Sequence, residues 1–324
     1  MRWLITGGCG FIGVNLVKRI LSEDSNVSIK IVDNFKTGQL EDIRQVCDLE
    51  NDDVFVYPED IKDAEFAMRV CKDVDTIVHL AANTGVPVSV EYPVEDCYNN
   101  IIGTLNYLEA ARHNGVKRFI FASSSAVPGD YEPPFHEKLF PRPISPYGAS
   151  KGAGEAYCHV YNETYGVETV ALRFSNVYGP YSFRKESQLI SKFIMSAMQG
   201  ETMPIYGDGS QTRDFCFVDD LMDVLMECAT RPNIGGNVFQ VATNVETSVQ
   251  QITDTIIERF RQEGVHDLEV EYVDKRAGDV ARNYSDVSKT KKLLGWSNNV
   301  GIEEGINKTI DWYLINKGEM LKWS

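Results

Sequence analysis

The chain opens on a run that permits few architectures. Trp3-Leu4-Ile5-Thr6 is a short apolar stretch leading straight into Gly7-Gly8-Cys9-Gly10-Phe11-Ile12-Gly13, after which Val14, Leu16, Val17, Ile20 and Leu21 recur at helical spacing. Strand, glycine turn and helix in that order predict a βα unit whose turn admits phosphates. Glycine allows the tight turn and close backbone approach, and the helix N-terminus offers free N–H groups. A second strand, Val27 to Val32, ends in Asp33, twenty residues after Gly13. An acid there accepts ribose hydroxyls and repels a 2′-phosphate, which points to NAD over NADP.

The alternation continues. Val54-Phe55-Val56-Tyr57 reads as a third strand, and the Glu59-Asp60-Ile61 run at its end suits an adenine edge. Val74 to Ala82 is a nearly continuous apolar run, as in a parallel strand covered on both faces. Its small Ala81-Ala82 end lets a dinucleotide lie close, and His79 reads as a packed strand residue. Asn100 opens an Asn-x-x-Gly-Thr pattern and a helix with Ile101, Leu105, Leu108 and Ala111 on its apolar face. Phe119-Ile120-Phe121-Ala122 is a fifth strand delivering Ser123-Ser124-Ser125 to its C-terminal end, where ligands of open α/β sheets gather. Thr169 to Phe174 is a sixth. Such alternation requires a parallel sheet with right-handed crossovers.

Just after the serines, Ser145-Pro146-Tyr147-Gly148-Ala149-Ser150-Lys151 puts a Tyr and a Lys four residues apart. In a helix from about Tyr147 they are neighbours across one turn. A cation beside a phenol favours the phenolate, so Tyr147 becomes a base near neutral pH, able to take a hydroxyl proton while the carbon's hydride leaves. Two other pairs share the spacing, Tyr181/Lys185 in a Gly-Pro loop and Tyr313/Lys317 in the last helix. Only the first follows a strand ending in hydroxyl residues. It also opens a helix, whose apolar set is Ala153, Ala156, Tyr157, Val160 and Tyr161.

Beyond Phe174 the polar loops lengthen. Asp219-Asp220 reads as a helix cap, and Gly235 to Val241 and Leu268 to Val273 as strands. With no flexible linker, the second half is expected to form a smaller lobe against the first, with a cleft between. A net charge of −15 argues against nucleic acid or an anionic membrane as partner. Seven Cys without a Cys-x-x-Cys suggest a reduced chain. There is no signal-peptide pattern and no apolar stretch near ~18 residues, so a soluble cytoplasmic protein is expected.

Taken together, these motifs resemble the extended short-chain dehydrogenase/reductase family, specifically its NAD-dependent nucleotide-sugar epimerases and dehydratases. The resemblance runs through Thr6-Gly7-x-x-Gly10-Phe11-Ile12-Gly13, Asp33-Asn34, Asp60-Ile61, Leu80-Ala81-Ala82, Ser124 and Tyr147-x-x-x-Lys151. It continues through Asn176-Val177-Tyr178-Gly179-Pro180, Gly207-Asp208-Gly209-x-Gln211-x-Arg213-Asp214 and Arg276-x-Gly278-Asp279. It implies an α/β fold, a Rossmann-type doubly wound parallel sheet with a smaller α+β C-terminal lobe. The NAD-binding domain would span 1–175, rejoined by about 214–242, and the nucleotide-sugar lobe 176–324.

By the same resemblance, NAD contacts Gly7, Gly10, Phe11, Ile12, Gly13, Asp33, Asn34, Asp60, Ile61, Leu80, Ala81, Ala82 and Asn100. Tyr147 is the base, Lys151 binds the nicotinamide ribose and lowers the Tyr147 pKa, and Ser124 hydrogen-bonds the reacting hydroxyl. Thr84, Ser125, Asn176, Arg213, Arg276 and Asp279 would contact a UDP-sugar, with Arg213 and Arg276 clamping its diphosphate. A homodimer is implied, hinted at by apolar residues along the Asn100 and Tyr147 helices. Dehydratases of the family carry an Asp-Glu pair where this chain has Ser125 and Ala126, which cannot move protons in that way. Decarboxylating relatives place a Glu at the Ala126 position. A 4-epimerase is therefore expected, ahead of a 4,6-dehydratase, a UDP-glucuronate 4-epimerase or a non-catalytic NAD-binding protein. Pro128 stands where the family has Tyr. Asn283, at the place facing the sugar's C2 substituent, suggests room for an N-acetyl group. Arg184 and Lys185 could pair with a uronate.

Overall fold

The computed structural model describes residues 1–24, 26–184, 188–275 and 280–320. Strands and helices alternate as β1 (Arg2–Thr6), α1 (Phe11–Glu23), β2 (Ser28–Val32), α2 (Leu40–Arg44), β3 (Val54–Tyr57), α3 (Ala64–Val70) and β4 (Thr76–His79). Then come α4 (Val86–Glu91), α5 (Pro93–Cys97), a π turn (Tyr98–Ile102), α6 (Gly103–Asn114), β5 (Arg118–Ser124), α7 (Pro146–Tyr165) and β6 (Glu168–Phe174). The remainder holds β7 (Asn176–Tyr178), α8 (Leu189–Gln199), β8 (Met203–Tyr206), β9 (Thr212–Arg213), β10 (Phe215–Phe217), α9 (Val218–Thr230) and β11 (Asn237–Val241). It closes with β12 (Thr247–Ser248), α10 (Val249–Gln262), β13 (Val270–Val273), α11 (Ser288–Leu294), α12 (Ile302–Ile315) and α13 (Lys317–Met320).

Seven strands form one parallel sheet in the order β11-β6-β5-β4-β1-β2-β3. This is the Rossmann order, with β11 added beyond β6. Successive side chains of each strand enter opposite layers. Trp3, Ile5, Ile29, Ile31 and Ile120 pack with α1, α8 and α9. Leu4, Val32, Phe119 and Phe121 pack with α3, α6 and α7. The chain order reverses between β1 and β4, so the crevice at a switch point opens above the glycine turn. Three short two-stranded ladders, β10–β7, β12–β9 and β13–β8, build the C-terminal half. No helix among the described residues is long and apolar enough to cross a membrane.

Several expected details shift. The fourth strand was expected to run to Ala82, but its ladder stops at His79, opposite Thr6, the last residue of β1. The backbone N–H groups of Leu80 and Ala81 still reach Thr6, at 3.1 and 3.2 Å. Asp219 and Asp220 do not cap α9: Phe217 holds that place and the two acids lie in the first turn. Asp220 instead accepts the backbone N–H groups of Asn299 and Val300 at 2.8 and 3.2 Å. On α7 the expected apolar face is turned outward. Ala156, Tyr157 and Val160 are exposed, and the core face is Gly148, Lys151, Gly154, Glu155, Cys158 and Tyr161. On α6 the buried set includes Thr104 and Tyr107, while Ile101 and Leu105 are only half-buried.

A buried ion pair explains the reversal on α7. Glu155 takes both Arg173 Nε and Nη2 at 2.8 Å, with side-chain exposures of only 7% and 3%, and Ser123 donates to the same carboxylate. The pair links β5, α7 and β6 at the sheet's C-terminal edge. Removing one partner strands the other charge in the interior, so Glu155→Gln should cost about 3 kcal/mol by urea unfolding. Replacing both residues by Met should cost less. An E155Q chain as stable as the parent would remove the pair from this role.

Candidate active site

Helix α7 begins where it does because Ser145 caps it, its hydroxyl accepting the Gly148 N–H at 3.1 Å, and Pro146 occupies the first turn. A Cβ on Gly154 would stand 2.3 Å from the Phe121 ring, so the bare glycine lets the helix lie directly on β5. That approach brings Lys151 Nζ within 2.8 Å of the Ala122 carbonyl and sets it 5.8 Å from the centre of the Tyr147 ring. The Tyr147 phenol hydrogen-bonds the Ser124 side chain, whose Oγ also accepts the Ala126 N–H at 3.1 Å. Ser124, Tyr147 and Lys151 thus meet at the C-terminal ends of β5 and β6.

One electrostatic expectation is corrected. Lys151 was to lower the Tyr147 pKa, yet the phenol is pushed up to about 12. Burial is the largest cause, the Ser124 bond opposes it, and the negative charge of Asp96 adds to it. Desolvation of a phenolate outweighs a cation whose donor is engaged by a strand carbonyl. His79 is the packed residue its strand position suggested. Wholly buried and held down to about 3, it bridges the hydroxyls of Thr6 and Thr104 at 2.9 and 3.1 Å.

These residues line a cleft of about 390 Å³, shared with Gly7, Gly10, Phe11, Ile12, Gly13, Asp33, Asn34, Ile61, Leu80, Ala81, Ala82 and Thr84. The cradle fits a dinucleotide. Helix α1 has no side-chain cap, and a Cβ on Gly10 would meet nothing nearer than Gly7 O at 3.3 Å. A diphosphate can therefore approach the free helix N-terminus across a bare Cα. The Asp33 carboxylate accepts the N–H groups of Cys9 and Phe35, at 3.0 and 2.9 Å, at the cleft's far end.

Other expected contacts fall elsewhere. Asn100 is 1% exposed and lies behind the wall, bonded to Asn83 N and O, Asp96 and Ser150. Asp60 is likewise set back, accepting from Asn34 at 3.2 Å. Neither these two nor Ser125, Asn176, Arg213 and Asn283 belong to the cleft lining. The Ser125 N–H donates to Phe174 O at 3.0 Å, and the Asn176 side chain donates to Asp214 O at 3.1 Å. Arg213 Nη1 reaches the carbonyls of Thr212 and Val280 at 2.7 and 2.8 Å. Asn283 Oδ1 is buried with no hydrogen-bond partner among the described residues. Arg276, Gly278, Asp279 and Lys185 lie outside the described residues. Arg184 does not stand ready for a uronate: it grips Asp42 at 2.8 and 3.2 Å on the cofactor side. Pro128 is buried, and its carbonyl accepts the Arg142 N–H at 3.0 Å, which pins the loop beside the serines.

Sequence reasoning missed some of the lining. Thr37 and Gly38 fold back over the glycine turn, and a Cβ on Gly38 would collide with Cys9 O at 2.2 Å. The signal was a Thr-Gly five residues after the strand-end Asp33.

The profile of the GDP-mannose 4,6 dehydratase family matches residues 4–309. A putative UDP-glucose 4-epimerase of Methanocaldococcus jannaschii is 37% identical over 321 residues, 97% of this chain and 98% of its own. The UDP-N-acetylglucosamine 4-epimerase of Methanobrevibacter ruminantium, solved with UDP-N-acetylmuramic acid, superposes with a TM-score of 0.89 at 32% identity. That match covers 97% of this chain and 98% of the other. UDP-glucose 4-epimerase of Thermus thermophilus, solved with NAD, gives 0.87 at 31% identity, over 97% and 99% of the two chains. Sheet order, cleft and full-length similarity agree: the chain belongs to the extended short-chain dehydrogenase/reductase family, among its NAD-dependent nucleotide-sugar epimerases and dehydratases.

Proposed function

We propose that the protein is an NAD-dependent 4-epimerase of UDP-hexoses. The observation that carries this reading is the Ser124–Tyr147 hydrogen bond beside Lys151, with no carboxylate at positions 125 and 126. Tyr147 Oη takes the C4 hydroxyl proton, Ser124 orients that hydroxyl, and Lys151 favours the phenolate. NAD, when bound, supplies the acceptor and later the donor of the C4 hydride. Elimination across C5 and C6 needs a further acid and base, and Ser125 and Ala126 provide neither, which favours epimerisation over dehydration. Asp33 would take the adenosine ribose hydroxyls and disfavour NADP.

The sugar reading is a UDP-hexose whose C2 substituent is an acetamido group. It is supported by Asn283 Oδ1, a buried acceptor with no partner among the described residues, which an N-acetyl N–H would satisfy. Arg184 does not favour a uronate, since its charge is matched by Asp42. A second copy of the chain is the partner suited to the outward apolar face of the π turn and α7. There Tyr98 is 59%, Ile102 38%, Tyr157 38% and Val160 44% exposed.

Tyr147→Phe should keep NAD binding by calorimetry, still stronger than NADP, and lose at least ~10³-fold in turnover. Retention within a few-fold would refute Tyr147 as the base. Incubation with UDP-N-acetylglucosamine, UDP-glucose and UDP-glucuronate should give the highest specificity constant for the first, and Asn283→Tyr should depress that one selectively. An unchanged ratio removes Asn283 from sugar selection. Sedimentation should show a dimer that Val160→Asp dissociates, whereas a monomeric parent would sink the pairing.

A further inference from the structure

The site contains a buried carboxylate that the chemistry above does not use. Asp96, on α5, is 1% exposed. Its carboxylate accepts Asn100 Nδ2 at 2.9 Å and faces the Ser150 hydroxyl, one residue before Lys151 on α7. Asn100 Nδ2 also lies 3.1 Å from Ser150 Oγ, and its amide bonds both backbone groups of Asn83 on the cleft wall. Among the described residues, no Lys or Arg forms an ion pair with Asp96.

The charged and titratable groups surrounding the phenol can be listed by element. Among the described residues they include Asp96 on α5, Lys151 and Glu155 on α7, Arg173 on β6 and His79 on β4. Glu155 and Arg173 neutralise each other through their bidentate pair, and His79 is uncharged. The remaining charges are one anion and one cation. Burial pushes the Asp96 carboxyl above its usual range, the Ser150 hydroxyl and the Lys151 ammonium draw it back down, and the same carboxylate opposes ionisation of Tyr147.

We infer that Asp96 is the buried counter-charge of Lys151 and a positioning residue for the Tyr147 base, tying α5, the cleft wall and the catalytic helix through Asn100 and Ser150. It acts in two opposed ways. It favours the charged ammonium at the buried wall of the cleft, and it sets how hard the phenol is to ionise. The inference deepens the reading of Tyr147 as base, but its charge-pairing half stands apart from turnover.

Asp96→Asn separates charge from hydrogen bonding, because the amide oxygen still accepts from Asn100. A negative charge near a phenol disfavours the phenolate, so its removal should move the acid limb of the kcat profile to lower pH. Activity at pH 6 relative to the plateau should rise roughly threefold, the change a half-unit move gives. Asp96→Glu should leave the limb near its parent position. An unmoved limb in D96N reduces Asp96 to a hydrogen-bond acceptor and overturns the inference. The second test needs no activity. With NAD present, D96N and Lys151→Met should each lower the melting temperature, and the double variant should lose less than the sum. A D96N chain that folds only with K151M is the extreme of that coupling. Additive losses, or a double variant that fails to fold like D96N alone, overturn it.

Discussion

The contact between α7 and β5 governs the geometry of everything at the sheet edge. Gly154 lays the helix against the Phe121 ring, and the Glu155–Arg173 pair with Ser123 stops it from sliding. With helix and strand so fixed, Lys151 reaches the Ala122 carbonyl and the Tyr147 phenol meets Ser124. None of these four groups could be brought into register by local propensity. They depend on a close approach that any side chain at position 154 would prevent, and on an ion pair that satisfies two charges otherwise costly to bury.

That arrangement leaves the site electrostatically poised. Burial of Tyr147 favours the neutral phenol, and the Ser124 hydrogen bond recovers part of the loss. Lys151 contributes a cation, tempered by the Ala122 carbonyl and the nearby Asp96. Its surroundings thus raise the phenol's affinity for a proton, and its strength as a base rests on a balance of opposing charges within one small volume. A low local dielectric makes each of those charges count for more than it would at the surface.

The C-terminal half is tied back onto the first by polar contacts along α1 and α2. Asn15 on α1 donates to Pro180 O at 3.0 Å, Arg19 pairs with Asp223 at 2.6 Å, and Arg184 grips Asp42. The last pair is nearly buried, with side-chain exposures of 14% and 5%, and both residues line the cleft. An arginine placed by sequence near the sugar is therefore engaged beside the glycine turn, because the chain after β7 folds toward α2.

How much of this was legible follows from the range over which each signal acts. The glycine turn, the strand-end Asp33, the serines after β5 and the Tyr147/Lys151 spacing are local features. Strand order followed from alternation and right-handed crossovers, because few parallel topologies remain once those are imposed. What could not be read were the identities of faces and partners. Ala156, Tyr157 and Val160 look like a core stripe, yet the inward face of α7 carries Lys151 and Glu155, since Lys151 donates to the Ala122 carbonyl, 29 positions away, and Glu155 is paired by Arg173, 18 positions away. Asn100 was read as a cofactor contact and is a buried strut, because three of its four hydrogen bonds are made with Asn83 and Ser150, 17 and 50 positions away. The sequence by itself determined the fold class and the residues that gather at the sheet edge. Only the tertiary structure decided which charges neutralise one another and which apolar face looks outward, because both depend on long-range packing that no local pattern encodes.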